Sequence, residues 1–258
     1  MSNIIIKKLN SGIKIIQLNN PKTYNSLSFK TLSDLLKAFK KLDNDKFTKV
    51  IILEGSGNGF SAGHNLKEVS GISKKTKHQK LFNLCSKLMM QIVEGKKPVI
   101  AKIHGAAFAA GCQLVASCDL AYSDTKAIFA TPGVNIGLFC STPMVAVSRK
   151  VNRKKTMEML LTGDPVNAKT AKEIGLINNY FTSNKLSAEV LKVAKKISSK
   201  SNSTIKIGKK AFYKQLEMPI SKAYKFTSKI MAENMSTYDA KEGISAFLQK
   251  RKPKWKNT

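Results

Sequence analysis

The sequence reads as an α/β protein that alternates strand and helix in its first half and is helix alone in its last third. Three observations predict this. Two apolar runs, Val50-Ile51-Ile52-Leu53 and Pro98-Val99-Ile100-Ala101-Lys102-Ile103, each lead into a glycine- and alanine-rich turn and then a helical pattern. From about Arg153, segments with helical spacing follow one another with only short linkers. The 258 residues, 42% of them hydrophobic, allow one large domain, or a core with a smaller helical part.

Taken in order, Ile4–Leu9 and Ile13–Leu18 read as two strands around the turn Asn10-Ser11-Gly12. Ser28 is placed to cap a helix through about Leu42, with Leu32, Leu35, Leu36 and Phe39 on its apolar face. Lys49–Leu53 is a strand and Gly55–Gly59 a loop. Residues 77–94 carry Leu81, Leu84, Cys85, Leu88 and Met89 at helical spacing. Pro98–Ile103 is the next strand, Gly111–Ser117 a short helix and Leu120–Ser123 a strand. Pro132, Gly133, Gly137 and Pro143 then break the chain into loops. Segments 153–161, 168–174, 184–198, 203–216, 219–235 and 238–250 read as helices. Strand–helix layers followed by helices alone imply a layered core with a helical C-terminal part.

The most informative stretches are Gly59-Phe60-Ser61-Ala62-Gly63-His64-Asn65-Leu66-Lys67-Glu68 and His104-Gly105-Ala106-Ala107-Phe108-Ala109-Ala110-Gly111-Cys112-Gln113. Each is a strand-to-helix turn. Brought together, two such turns aim free backbone N–H groups at one point, which makes an oxyanion hole. The small residues at 62–63 and 109–111 let a ligand reach the backbone.

These residues resemble the enoyl-CoA hydratase/isomerase (crotonase) superfamily along nearly the whole chain. The resemblance begins at Leu18-Asn19-Asn20-Pro21-Lys22-Thr23-Tyr24-Asn25-Ser26-Leu27. It continues through both turns and Ser117-Cys118-Asp119-Leu120-Ala121, and ends at Phe247-Leu248-Gln249-Lys250-Arg251-Lys252-Pro253-Lys254-Trp255. The turns and Pro132–Pro143 together look like one subgroup of that family. The resemblance implies a spiral of β-β-α units, with C-terminal helices that assemble trimers or paired trimers. It divides the chain into an acyl-CoA-binding core, 1–200, and a helical oligomerisation region, 201–258.

The resemblance also implies the site. The oxyanion N–H groups match His64 and Ala110, with His64 acting through its backbone. Alanine stands at 110 where the family usually has glycine, and it keeps the N–H if its φ stays negative. The adenine of coenzyme A would lie against Ala62, His64, Asn65 and Leu66. Lys22, Thr23 and Tyr24 would run along the pantetheine and phosphates. Phe247 and Lys250 would complete the site, from the same or a neighbouring subunit. Coenzyme A enters as part of the substrate, and no covalently bound cofactor is implied. The family's two hydratase glutamates match Gln113 and Gly133, so both carboxylates are missing. An amide takes up no proton at neutral pH and glycine offers no group, so ordinary hydratase activity is expected to be weak or absent. An acyl-CoA enzyme with another catalytic group and a silent acyl-CoA-binding protein both remain open. Asp119 and Glu68 read better as structural carboxylates than as substitutes, and Cys140-Ser141 lacks an activating neighbour.

The net charge of +29 raises a nucleic-acid reading. All but three of the 45 basic residues are lysines, spread over every segment. That pattern points to composition and not to a binding stripe, though it would attract a polyanion such as coenzyme A. Cys85, Cys112, Cys118 and Cys140 form no Cys-x-x-Cys, and the three histidines are scattered, so the spacing gives no zinc or other metal site. Buried thiols fit a reducing compartment. No apolar run reaches membrane-spanning length, and Ile4-Ile5-Ile6 is too short for a signal h-region. The expected location is the cytoplasm, or the mitochondrial matrix if a leader has been removed.

Overall fold

The computed structural model of the chain describes residues 3–257. Its main sheet joins β1 (Ile4–Lys8), β2 (Ile13–Leu18), β3 (Val50–Gly55), β5 (Val99–Ile103), β7 (Leu120–Asp124) and β10 (Asn179–Phe181) in that spatial order. The first pair is antiparallel and the rest are parallel. A second sheet joins β4 (Gly59–Ser61), β6 (Ala106–Phe108), β8 (Ile128–Ala130) and β9 (Val166–Asn167), with only the last pair antiparallel. The strand pairs β3–β4, β5–β6 and β7–β8 thus each place one strand in each sheet, and a helix follows before the next pair. That repetition is the predicted spiral of β-β-α units.

The helices are α1 (Phe29–Asn44), α2 (Leu66–Ser70), α3 (Lys75–Glu94), α4 (Ala110–Ser117), α5 (Ser141–Val147), α6 (Arg153–Thr162), α7 (Ala168–Glu173), α8 (Ser183–Ser198), α9 (Asn202–Gln215), α10 (Ile220–Met235) and α11 (Tyr238–Leu248). Ser28 caps α1 as expected, its side chain accepting from the Thr31 N–H at 3.1 Å. The sequence reading missed α5, the whole second sheet and β10. It also began α4 one residue late, at Gly111. The reading placed Gly55–Gly59 in a loop, whereas Gly55 ends β3 and Gly59 opens β4.

The central sheet is buried on both faces, which explains the unbroken apolar run in β3. Ile51 and Leu53 face the main core with Leu35, Phe39, Leu88 and Ile103. Val50 and Ile52 face the other side, where α8 lays down Leu186, Val190 and Ala194. α4 is buried at every residue, so it runs through the middle of the molecule with its N-terminus at the turn Phe108–Ala109.

The C-terminal helices are tied to this core by a buried ion pair. Lys209 on α9 donates to Asp119 Oδ2 at 2.7 Å and to the carbonyls of Ile92 and Lys97 at 2.8 and 2.9 Å. Asp119 also accepts from the Val99 N–H and from the Tyr213 hydroxyl. The Lys209 side chain is 7% exposed. Asp119 is therefore the structural partner that the sequence reading favoured.

Because every polar atom of this cluster is satisfied, removing one partner strands a buried charge. Asp119→Ala should cost ~3–5 kcal/mol, read as a lower denaturation midpoint. Lys209→Met, which removes the charge and keeps the bulk, should cost less than Asp119→Ala.

Candidate active site

The two turns meet through glycine. A methyl group placed on Gly63 would lie 2.9 Å from the Phe108 carbonyl oxygen and 3.1 Å from the Ala110 nitrogen. One placed on Gly111 would overlap the Ser61 carbonyl oxygen. Gly63 also has a φ of +89°, a region open to glycine at little cost. The backbone N–H groups of His64 and Ala110 therefore stand on adjoining turns. Among the described residues, neither is taken by a protein acceptor. Ala110 is the first residue of α4, so its N–H is one of the helix's free donors and sits at the positive end of the helix dipole.

The positive φ at this turn falls on Ala109 and not on Ala110. Ala109 has φ +48° and ψ −116°, strained for a residue with a Cβ. Its N–H bonds the Ala130 carbonyl at 2.9 Å, which ties the turn to β8.

Asn25 holds the first turn in place. It is 1% exposed and has φ +54°. Its amide nitrogen donates to the carbonyls of Ser56 and Gly59, each at 2.8 Å, and its oxygen accepts from the Asn20 N–H at 2.9 Å. Its own carbonyl accepts from the Ser61 hydroxyl at 3.0 Å. Ala62 N–H bonds the Tyr24 carbonyl at 2.9 Å. Lys22, Thr23 and Tyr24, all exposed, are thereby brought beside Ala62. Asn65 spends its side chain capping α2, accepting from the Lys67 and Glu68 N–H groups, while Leu66 is exposed. Phe247 and Lys250 are exposed on and just after α11, which packs on α9 and α10.

Gln113 and Gly133, which the resemblance matches to the family's glutamates, are both held tightly. Gln113 is 3% exposed on α4, and its Oε1 lies 3.8 Å from the Cys85 thiol that donates to it. Gly133 begins a tight turn, Pro132–Ile136. A Cβ there would overlap the Leu138 carbonyl oxygen and lie 2.9 Å from Cys140 Sγ. A side chain at this position would force the turn to shift. The turn has closed over that direction.

The imidazole of His64 is also placed differently from a polar surface group. Its Nδ1 lies 3.3 Å from the Leu27 carbonyl oxygen, and the ring meets Phe82 edge-on with centroids 5.4 Å apart. Its Nε2 is buried and has no partner among the described residues. Burial holds its pKa below the ordinary imidazole value, opposed by the Leu27 carbonyl and by the charge of Glu68. Glu68 in turn accepts from the Phe29 N–H at 2.9 Å. All four cysteines are free and buried. Burial pushes the thiols of Cys85 and Cys112 up to about 12 and raises Cys118 and Cys140 as well, so none is a ready thiolate. Among the described residues, no three His, Cys, Asp or Glu side chains gather as a metal site would need.

Comparison with known proteins places this geometry. The family model for enoyl-CoA hydratase/isomerase matches residues 8–258. Enoyl-CoA hydratase domain-containing protein 3, mitochondrial, of Homo sapiens is 47% identical over 244 residues, covering 95% of this chain and 80% of that protein. Its Xenopus laevis counterpart is 46% identical, covering 95% and 83%. The crystal structure of an enoyl-CoA hydratase from Mycobacterium smegmatis matches with a TM-score of 0.97 and 42% identity over 99% of both chains. That of human enoyl Coenzyme A hydratase domain-containing protein 3 matches with a TM-score of 0.96 and 45% identity, covering 98% of this chain and all of that one.

Two substitutions test the local geometry. Ala109→Gly should relieve backbone strain worth ~1–3 kcal/mol, less the ~0.4–1 kcal/mol of added chain entropy, and so raise the thermal midpoint. Gly133→Glu should lower the denaturation midpoint, by ~1–3 kcal/mol as for other overpacked sites.

Proposed function

The chain belongs to the enoyl-CoA hydratase/isomerase family, and from that premise we propose that it binds acyl-CoA thioesters with the thioester oxygen between the N–H groups of His64 and Ala110. The observation that supports this best is the interlock of Gly63 and Gly111, which sets two unused donors side by side at the start of a buried helix. A second support is the proximity of Lys22–Tyr24 to Ala62, the arrangement expected of residues that follow the pantetheine and the adenine. Lys22 on this rim adds favourable charge toward the phosphates.

The same geometry argues against ordinary hydration. Hydration needs a group that holds a water and moves its proton. Gln113 is a buried amide with its oxygen engaged by Cys85, and Gly133 has no room for a side chain. The proposed protein is therefore one that polarises a thioester without the paired carboxylates. A silent acyl-CoA-binding protein on the same scaffold is the second reading, and turnover separates the two.

We also propose assembly as a trimer or paired trimers. Ile220, Tyr224, Met231, Phe247 and Leu248 on α10 and α11 are 76%, 70%, 63%, 83% and 74% exposed, an apolar surface larger than scattered single residues. Phe247 and Lys250 then complete a neighbouring copy's site. Among the described residues no helix is long and apolar enough to cross a membrane. The free buried thiols and the mitochondrial names of the relatives support a reducing compartment, the matrix or the cytoplasm.

Calorimetry with acetyl-CoA or butyryl-CoA should show binding of one thioester per chain, and its absence in folded protein would refute the proposal. Ala110→Pro removes one donor at a helix position that tolerates proline, with the steric cost falling on Ala109. Any turnover that depends on the hole should fall by ~10²–10³-fold. Hydration of crotonyl-CoA should be at least tenfold below that of an ordinary family hydratase. Light scattering at micromolar concentration should give three or six times the mass of one chain.

A further inference from the structure

His64 contributes more than a backbone donor to this site. Two side-chain atoms among the described residues are buried without a partner, His64 Nε2 and Asn234 Oδ1. Only the first belongs to the joined turns. Nδ1 of His64 faces a carbonyl oxygen, which only accepts, so Nδ1 carries the ring proton and Nε2 presents its lone pair. Phe82 fixes the ring edge-on. A buried acceptor without a partner costs ~1–3 kcal/mol, so stability does not explain this placement. The ring leaves the same Cα whose N–H is an oxyanion donor. The unpartnered nitrogen and that donor therefore belong to one residue of the turn.

We propose that His64 Nε2 is the proton acceptor for the α-carbon of the bound acyl thioester. This rests on the thioester-binding reading above. In the step, the α-C–H bond breaks and its proton goes to Nε2. The C–H electron pair forms a C=C bond to the thioester carbon, and the C=O pair moves onto oxygen. The enolate oxygen is held by the N–H groups of His64 and Ala110. The imidazolium keeps its Nδ1–H on the Leu27 carbonyl, and returning the proton from Nε2 to carbon completes the cycle without an oxidant or co-reactant.

The groups that face the ring fit this role. Leu27 offers a carbonyl and Phe82, on α3, an uncharged edge; Glu68, on α2, is the charged group that acts on the ring and favours the imidazolium. Burial keeps the resting imidazole neutral near pH 7, so it is ready to accept. The alternatives at the site are poorer bases: Gln113 does not titrate, and the Cys85 and Cys112 thiols ionise only near pH 12.

The test is exchange of the α-hydrogens of butyryl-CoA with D2O, followed by proton NMR on the full chain. Wild type should exchange well above the buffer rate. His64→Gln and His64→Ala both retain the backbone N–H. Each should lower exchange by ~10²–10⁴-fold while calorimetric affinity for butyryl-CoA changes by only a few-fold. The wild-type rate should fall as pH drops through an imidazole pKa below 6.5 and level off above it, and the His64→Gln profile should be flat there. Intact binding with wild-type exchange no faster than buffer would overturn the proposal, as would His64→Gln exchanging at the wild-type rate. Loss of binding in wild type would instead overturn the thioester reading, and this step with it.

Discussion

The site depends on one steric constraint, the absence of side chains at Gly63 and Gly111. A methyl at either glycine would drive one turn off the other, because the atoms it would meet are backbone atoms that cannot swing aside. This contact decides where the N–H groups of His64 and Ala110 stand, and it aligns the N-terminus of α4 with the first turn. The rest of the architecture can be read as support for it. The parallel pairing of β4 with β6 and of β6 with β8 brings the turns to the same edge. The bond from Ala109 N–H to the Ala130 carbonyl then fixes the second turn from behind. Strain at Ala109 is the visible consequence, since the backbone path through the interlock demands a positive φ whatever residue occupies the position.

Polar cross-links carry the constraint outward. Asn25 satisfies three backbone groups from two loops at once, so the segment that would meet coenzyme A and the first oxyanion turn move as one body. At the far end of α4, Asp119 gathers the Val99 N–H, Lys209 and Tyr213. That cluster joins the site helix to α9, and through α9 to the apolar faces of α10 and α11. A buried pair of this kind contributes less net stability than its short distances imply, because desolvation offsets most of the attraction. Its effect is to leave α9 only one satisfied position. The lysine excess plays little part here: most lysines are exposed, and surface pairs such as Lys30–Asp34 contribute ~0–1 kcal/mol.

Much of this was legible in the sequence, and the parts that were not share physical causes. Strands such as β2 and β3 are runs of five or six residues rich in isoleucine and valine, so their type was plain. The second sheet is built of two- and three-residue strands, such as Ala106-Ala107-Phe108 and Val166-Asn167. They are too short to show an alternating pattern and exist because the spiral stacks them. α5 was hidden by Pro143, which is tolerated because it falls in the first helical turn. At the candidate site, the motifs named the two turns and the residues Gln113 and Gly133 in advance. The inward turn of the His64 ring was not legible there, because it depends on Phe82, eighteen positions away on a different helix. Nor was the closed turn at Gly133, which depends on where the Leu138 carbonyl lands. In both cases the deciding atom belongs to a residue with no periodic relation to the one it constrains.

The contrast between what the site keeps and what it lacks follows from where each function is stored. The proposed oxyanion donors are backbone atoms. Any residue except proline supplies them, so alanine at 110 and histidine at 64 preserve the hole provided the glycines at 63 and 111 preserve the path. Such a donor is worth ~2.7–4 kcal/mol in a transition state. Proton transfer is stored in side chains, where a single replacement removes it, and it is worth a similar ~10²–10⁴-fold. A site built this way can lose its acid–base pair and remain a competent polariser of thioesters. It can also gain a new proton acceptor from any side chain that reaches the same space. Of the side chains brought to these turns, His64 alone combines an unpartnered lone pair, a pKa that burial lowers and a charge on Glu68 that favours its protonated form. Its main chain and its ring then act on the two ends of one bond shift, the oxygen that gains charge and the carbon that gives up its proton.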